Sequence, residues 1–160
     1  YQDVKWGGLM RHVLKTAVSQ TWQSGVDIFG GEWHTETPTT ITQEYTLDDK
    51  WARPETAQNK DMADRRVLSY TINDKDAMAN GATFMVQSVT KGTDIFGNTT
   101  TTTTDTTYEI YQGKYIVNKV DSTTTGQDVL GSDNTTHTIT TYTYQDVKWG
   151  GLMRHVLKTA

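Results

Sequence analysis

The chain has 160 residues, a net charge of −4 and 34% hydrophobic residues, below the apolar share of about 45–50% (glycine included) that is usual for a globular domain. The acidic charge gives no reason to expect a nucleic-acid partner, no apolar run reaches the roughly 20 residues that span a bilayer, and the absence of cysteine excludes disulfides and thiolate zinc sites. Threonine contributes 31 residues and aromatic residues 10%, a combination that favours exposed β-structure over disorder.

The chain opens with YQDVKWGGLMRHVLKTA at 1–17 and closes with the same seventeen residues at 144–160. Either the parent protein repeats every 143 residues, or a continuous fibre is represented by an overlapping window. Within the opening copy, LMRHVLKTAV at 9–18 has a spacing that also suits a short amphipathic helix. We predict a strand there, because residues 13–21 occupy the place of the first strand of a repeat unit.

A turn motif, Gly-x-Asp followed by two apolar residues and Gly, occurs three times. Sliding the chain by 67 residues aligns 25–40 with 92–107 at 9 of 16 identities, and sliding it by 34 aligns 86–115 with 120–149 at 13 of 30. Glycine supplies positive φ and aspartate bonds its own backbone two residues on, so we predict tight turns. The predicted turn residues are Gly25, Asp27, Gly30, Gly92, Asp94, Gly97, Gly126, Asp128 and Gly131.

A fourth, worn unit is predicted between the first two turns, because 67 is close to twice 34. Its turn is placed at Asp61, within KDMAD at 60–64, and is followed by the strand-like VLSYTI at 67–72. The predicted organisation is therefore one long repeat over 1–143, made of about four units of 34 residues centred on Asp27, Asp61, Asp94 and Asp128. Residues 144–160 begin the next identical repeat.

Each unit is predicted as strand, tight turn, strand. The run TxTxTxxYxI at 102–110 alternates with period two, and a similar run follows at 136–144. A single hairpin is too small to bury its own face, so the units must stack. The predicted fold is all-β, with stacked β-hairpin repeats in a ribbon or solenoid-like arrangement, a thin core and threonine-rich strands whose hydroxyls form ladders.

Tyr142-Thr-Tyr144, Asp146, Gly150-Gly151 and Leu152 resemble the tyrosine–aspartate (YD, or Rhs-type) repeats of giant bacterial surface and toxin-shell proteins. The run Asp-Ile-Phe-Gly-Asn at 94–98 is similar to a variant of that pattern. The chain departs from it at Gln145, where the family has Asp, and in two extra residues before the glycines. The resemblance implies extracellular β-hairpin repeats coiled into a ribbon or shell, without catalytic residues.

Candidate sites are few. Trp22, Trp33 and Trp51 are candidates for glycan contact, and Asn98 and Asn134 match the N-glycosylation pattern. Glu32, His34 and Glu36 alternate on one strand face, where a divalent metal site is the less favoured alternative to a solvated face, so no metal site is predicted. The chain contains no nucleophile elbow, phosphate loop or cysteine–histidine pair, and we predict neither an enzyme nor a cofactor.

The sequence predicts a structural repeat module of an extracellular filament, sheath or giant surface adhesin, located outside the cell or on its surface. Its predicted partners are identical copies of itself, with surface polysaccharide as a further candidate. The alternative is a carbohydrate-binding or toxin-shell module. Regular threonine ranks also occur on ice-binding faces, but those require short, near-identical coils, and these units vary.

Overall fold

A computed structural model describes residues 1–6, 8–50, 66–149 and 152–159. Over these residues the protein is all-β, as predicted, with fourteen strands and no helix. Asp61 and Trp51, at which a turn and a glycan contact are predicted, lie outside the described residues. The strands are β1 (Gln2–Trp6), β2 (Leu9–Val13), β3 (Thr16–Thr21), β4 (Ser24–Val26), β5 (Glu32–Thr37), β6 (Thr39–Asp48), β7 (Val67–Ile72), β8 (Lys75–Asp76), β9 (Thr83–Thr93), β10 (Thr99–Tyr111), β11 (Lys114–Gln127), β12 (Asp133–Thr141), β13 (Thr143–Trp149) and β14 (Leu152–Thr159).

The chain divides into two compact units. The first unit comprises Tyr1–Ser19, Ile41–Ala82 and Ile110–Lys114. The second unit comprises Gln20–Thr40, Thr83–Glu109 and Tyr115–Ala160. Each has its own small set of buried side chains.

The second unit contains most of a six-stranded sheet with the order β12-β11-β10-β9-β5-β4. The sheet consists of three antiparallel hairpins lying side by side: β4–β5, β9–β10 and β11–β12. The first two are joined by pairing of β5 with β9, with Glu32 opposite Thr93, and the last two by β10 with β11. Because every junction is antiparallel, the turns that close the three hairpins lie along the same edge of the sheet.

Alternation along β9 builds the apolar face of the second unit. Phe84 and Val86 are buried, whereas the residues between and beside them are exposed. Phe84 stacks on Tyr108, its register partner on β10, with ring centroids 5.3 Å apart. Tyr115 completes the cluster through edge contacts to both rings. Burial, with Tyr115 beside it, raises the pKa of the Tyr108 hydroxyl.

Threonine hydroxyls pair between β10 and β11, as the ladder interpretation predicts. Thr102 Oγ1 lies 3.0 Å from Thr124 Oγ1, and Thr104 Oγ1 lies 3.3 Å from Ser122 Oγ. Branched side chains that also hydrogen-bond across strands explain how so polar a sequence sustains long strands of 13 and 14 residues.

The first unit contains most of a four-stranded sheet with the order β3-β6-β7-β8. Its centre is the stacked pair Tyr45 and Tyr70, which are opposite each other in the β6–β7 register, with centroids 5.1 Å apart. Ile72, Ala77 and Ile110 are fully buried. Only five hydrophobic residues in the described part of the chain are buried at all, which agrees with the predicted thin core.

The turn between β10 and β11 is held within the first unit by side-chain hydrogen bonds. Gln112 and Gly113 both have positive φ, 49° and 76°, as a two-residue hairpin turn requires. The Tyr70 hydroxyl donates to the Gly113 carbonyl, and the Gln112 N–H donates to Asn80 Oδ1 at 2.7 Å. These bonds close a loop around buried Ile110, whose own N–H donates to the Ala82 carbonyl.

The duplicated segment folds the same way twice. Strands β1–β2 and β13–β14 pair in the same register, with Asp3 opposite His12 and Asp146 opposite His155. Each histidine Nδ1 lies 2.7 Å from its aspartate. Each histidine ring also stacks on the tyrosine that opens its copy. The strand prediction for 9–18 is thus confirmed over β2 and the start of β3, and the hairpin is determined by its own seventeen residues.

Candidate functional site

Three hairpins of the second unit close on the same five-residue turn, called here the Asp turn. In each, the aspartate N–H donates to the carbonyl of the fifth residue at 2.8–3.0 Å, and the N–H of the fourth residue, glycine, donates to the aspartate carbonyl at 3.0–3.1 Å. The aspartate Oδ1 accepts the N–H groups of the third and fifth residues at 2.7–3.0 Å. The three Asp turns span residues 27–31, 94–98 and 128–132.

The closing glycine of each Asp turn has a left-handed backbone, which residues with a Cβ rarely adopt. The φ angles are 91° at Gly30, 85° at Gly97 and 86° at Gly131. These three glycines therefore serve the purpose that the motif predicts.

The first glycine of each motif has a different role from the predicted one. Gly25, Gly92 and Gly126 lie inside strands β4, β9 and β11, where their missing side chains make room for a neighbour. A Cβ at position 25 would fall 2.6 Å from the Trp33 ring, and one at position 126 would fall 2.5 Å from Asn134 Oδ1. Close packing, and not a turn, requires glycine there.

The carboxylates of the Asp turns are engaged in stabilising their own backbone. Desolvation by itself raises the pKa of Asp94, but hydrogen bonds from the Asn98 side chain and from backbone N–H groups outweigh it and leave this pKa below its ordinary value. At Asp128 the bond from the Ser132 N–H is the largest cause of a lowered pKa. Turn chemistry accounts for both residues, which leaves no reason to assign them as ligands.

The three Asp turns contact one another in sequence along the sheet edge. A Cβ at position 30 would lie 3.6 Å from Ile95 Cγ2, and one at position 97 would lie 3.2 Å from Val129 Cγ1. Thus the first apolar residue of each turn packs over the glycine of the preceding turn. The second junction also has a hydrogen bond, from the Val129 N–H to Asn98 Oδ1 at 3.1 Å.

The apolar pairs at the tips of the Asp turns form a row, called here the apolar ridge. All six side chains are exposed, although each is large and hydrophobic. Such a patch on a protein surface marks an interaction site more often than chance. The sequence interpretation used these residues only as turn positions, yet the recurrence of an apolar pair at a fixed offset from Asp is the signal that identifies them. The ridge consists of Ile28, Phe29, Ile95, Phe96, Val129 and Leu130.

The candidate glycan-binding tryptophans are not brought together by the fold. Trp33 is paired with Gly25 on one side and Gly92 on the other, and its ring covers Gly25. Trp22 precedes β4 and is 61% exposed. Packing on glycine explains Trp33, whereas Trp22 has a side chain open to solvent.

The two glycosylation candidates differ in their surroundings. Asn98 Nδ2 donates to Asp94 Oδ2 at 2.7 Å while its Oδ1 accepts from Val129, so a glycan on this nitrogen would disturb the Asp turn. Asn134 is exposed at the start of β12, opposite Gly126.

The residues Glu32, His34 and Glu36 lie on β5 as predicted, but Glu36 forms an ion pair with Lys91 at 2.9 Å. Across the residues that the structure describes, no cluster of three or more histidine and carboxylate groups could hold a metal ion. The closest charged grouping is Asp121 with Lys119 and His137, at 2.9 and 2.5 Å. The Lys119 ammonium and then His137 lower the pKa of Asp121.

No family model, curated protein or solved structure matches this chain. In the described ranges, no helix is long and apolar enough to cross a membrane. The surface that distinguishes this protein is therefore defined by its own geometry: three repeated turns in contact, with an exposed apolar ridge along them.

Proposed function

We propose that this protein is a structural repeat module of an extracellular filament, sheath or giant surface adhesin, without enzymatic activity. Its hairpins are stacked repeats in a ribbon or solenoid-like arrangement, and modules assemble by β-strand stacking. The proposed partners are identical copies, and the proposed location is the cell exterior or surface.

The observation that carries this proposal is the side-by-side pairing of three hairpins that share one turn. Each hairpin covers a strand edge of its neighbour through the backbone, and the Asp turns pack in the same order at both junctions. Backbone pairing and turn packing depend little on the particular strand side chains, so further hairpins can be added by the same rule. A repeated addition rule is what an extended assembly requires.

The composition supports the same role. Surface threonines and few buried residues produce a sheet that presents both faces to water, and the absence of cysteine removes thiol chemistry that an exposed protein would have to manage. The resemblance to YD repeats points to the same setting outside the cell.

Electron microscopy and fibre diffraction of the purified full chain test the proposal. Growth by strand addition places the strands across the fibre axis, so we expect filaments with an axial reflection near about 4.8 Å. A chain that remains a monodisperse monomer at all accessible concentrations would contradict the proposal.

A second candidate, a carbohydrate-binding module, is favoured by one observation, the exposure of Trp22. Aromatic rings open to solvent stack well on sugar faces. Binding of the monomer to a polysaccharide array that is lost in Trp22→Ala, and kept in the equally exposed control Met10→Ala, would favour this candidate over assembly.

A further inference from the structure

The row of Asp turns has two open ends that match each other. At both internal junctions an apolar side chain of the later turn packs over the glycine of the earlier turn: Ile95 on Gly30 and Val129 on Gly97. The first turn has the equivalent side chain, Ile28, without a turn preceding it. The last turn has the equivalent glycine, Gly131, without a turn following it.

The exposures agree with this difference. Ile28 is 91% exposed, compared with 52% for Ile95 and 62% for Val129, which occupy the same position in the turns that have a predecessor. Among the described residues nothing lies within 4 Å of where a Cβ of Gly131 would be, whereas Gly30 and Gly97 each have a neighbour there. One end therefore presents an unfilled knob, and the other presents an unfilled hole.

The sheet edges at these two ends are also complementary. At each internal junction the strand that leaves one Asp turn pairs antiparallel with the strand that enters the next, β5 with β9 and β10 with β11. The open edges are β12, which leaves the last turn, and β4, which enters the first. β12 is a nine-residue edge without the lysine or proline that commonly protects such edges.

We propose that a second copy of this chain docks head to tail, with its β4 on β12 and its Ile28 over Gly131. This inference rests on the proposed structural role and names the contact through which it acts. The new junction repeats the internal ones, and the Ser132 side chain takes the place of Asn98 beside the incoming Ile28 N–H. Because the two surfaces are different, the contact is heterologous and propagates instead of closing as a symmetric dimer. The apolar ridge becomes continuous from copy to copy.

A disulfide-trapping experiment tests the contact directly, because the chain has no cysteine of its own. Full-length Ile28→Cys and Ser132→Cys are mixed under mild oxidation, with Met10→Cys as the control at an equally exposed site in the first unit. We expect mixed disulfides between positions 28 and 132 in excess of either homodimer and of every pair with position 10. Homodimers of Ile28→Cys in equal or greater yield would overturn the proposal, since they would indicate a symmetric contact of turn tips.

Sedimentation velocity gives an independent measurement. Ile28→Ser should weaken association about tenfold through the lost apolar burial, and Met10→Ser should leave it unchanged. An unchanged association of Ile28→Ser would overturn the inference. Filaments that persist in that variant would leave the structural function intact while excluding this contact, whereas a wild-type chain that is monomeric throughout would overturn both.

Discussion

Truncation of Ile110 tests the claim that the first unit depends on very few buried side chains. Ile110 is fully buried in β10, and Ile110→Ala removes three carbon atoms. At about 0.8 kcal/mol per buried methylene, the lost transfer free energy is about 2.4 kcal/mol. A residual cavity raises the expected loss in the free energy of unfolding to about 3 to 4 kcal/mol.

The matched control for this variant is Ile139→Ala. Ile139 also lies in a strand, β12, but is 53% exposed. Its truncation should cost less than about 1 kcal/mol, the range of strand propensity alone.

Equilibrium urea unfolding followed by circular dichroism measures both variants, with the transition midpoint as the readout. Ile110→Ala should shift the midpoint far more than Ile139→Ala. Equal shifts would refute the reasoning, since they would mean that burial at position 110 contributes no more than a strand position at the surface.

Three further predictions concern the turns, the hydroxyl ladder and the Tyr70 bond. The lowered pKa values of Asp94 and Asp128 mean that the stability contributed by their ionised forms is complete above the unfolded-state pKa of about 3.9 and is lost as pH falls through the folded-state pKa. The Asp94→Asn/Asp128→Asn variant should therefore show a flatter dependence of unfolding free energy on pH in this acidic range, and an unchanged slope would contradict the assignment. A double-mutant cycle of Thr102→Val and Thr124→Val should give a coupling of about 0.2–1 kcal/mol, with zero coupling as the contrary result. Tyr70→Phe removes the donor to the Gly113 carbonyl and should cost about 1 kcal/mol in thermal unfolding, whereas Tyr142→Phe serves as the control.

Features that depend on local chemistry could be predicted from the sequence. The turns at Asp27, Asp94 and Asp128 follow from a side chain that can cap its own backbone and a glycine that can adopt positive φ. The strand at 102–110 follows from period-two alternation of β-branched residues. The identical hairpins at the two copies of the seventeen-residue segment show that this element also needs only its own sequence.

Features that depend on which strands become neighbours could not be predicted. Gly25 and Gly92 resemble turn glycines in the sequence, but the fold uses them to admit Trp33, which is distant from Gly92 along the chain. The prominence of the apolar ridge was missed for the same reason, because Ile28, Ile95 and Val129 become a row only after the hairpins pair.

The sequence by itself therefore determined the secondary-structure class, the Asp turns and the polar, threonine-rich character of the strands, since each depends on residues a few positions apart. Only the tertiary structure decided the order β12-β11-β10-β9-β5-β4, the division of the chain into two units and the packing of one turn on the next. The physical reason is that backbone hydrogen bonding is available to any strand of suitable length. The choice among partners is made by contacts such as Phe84 on Tyr108, between residues that are far apart in sequence.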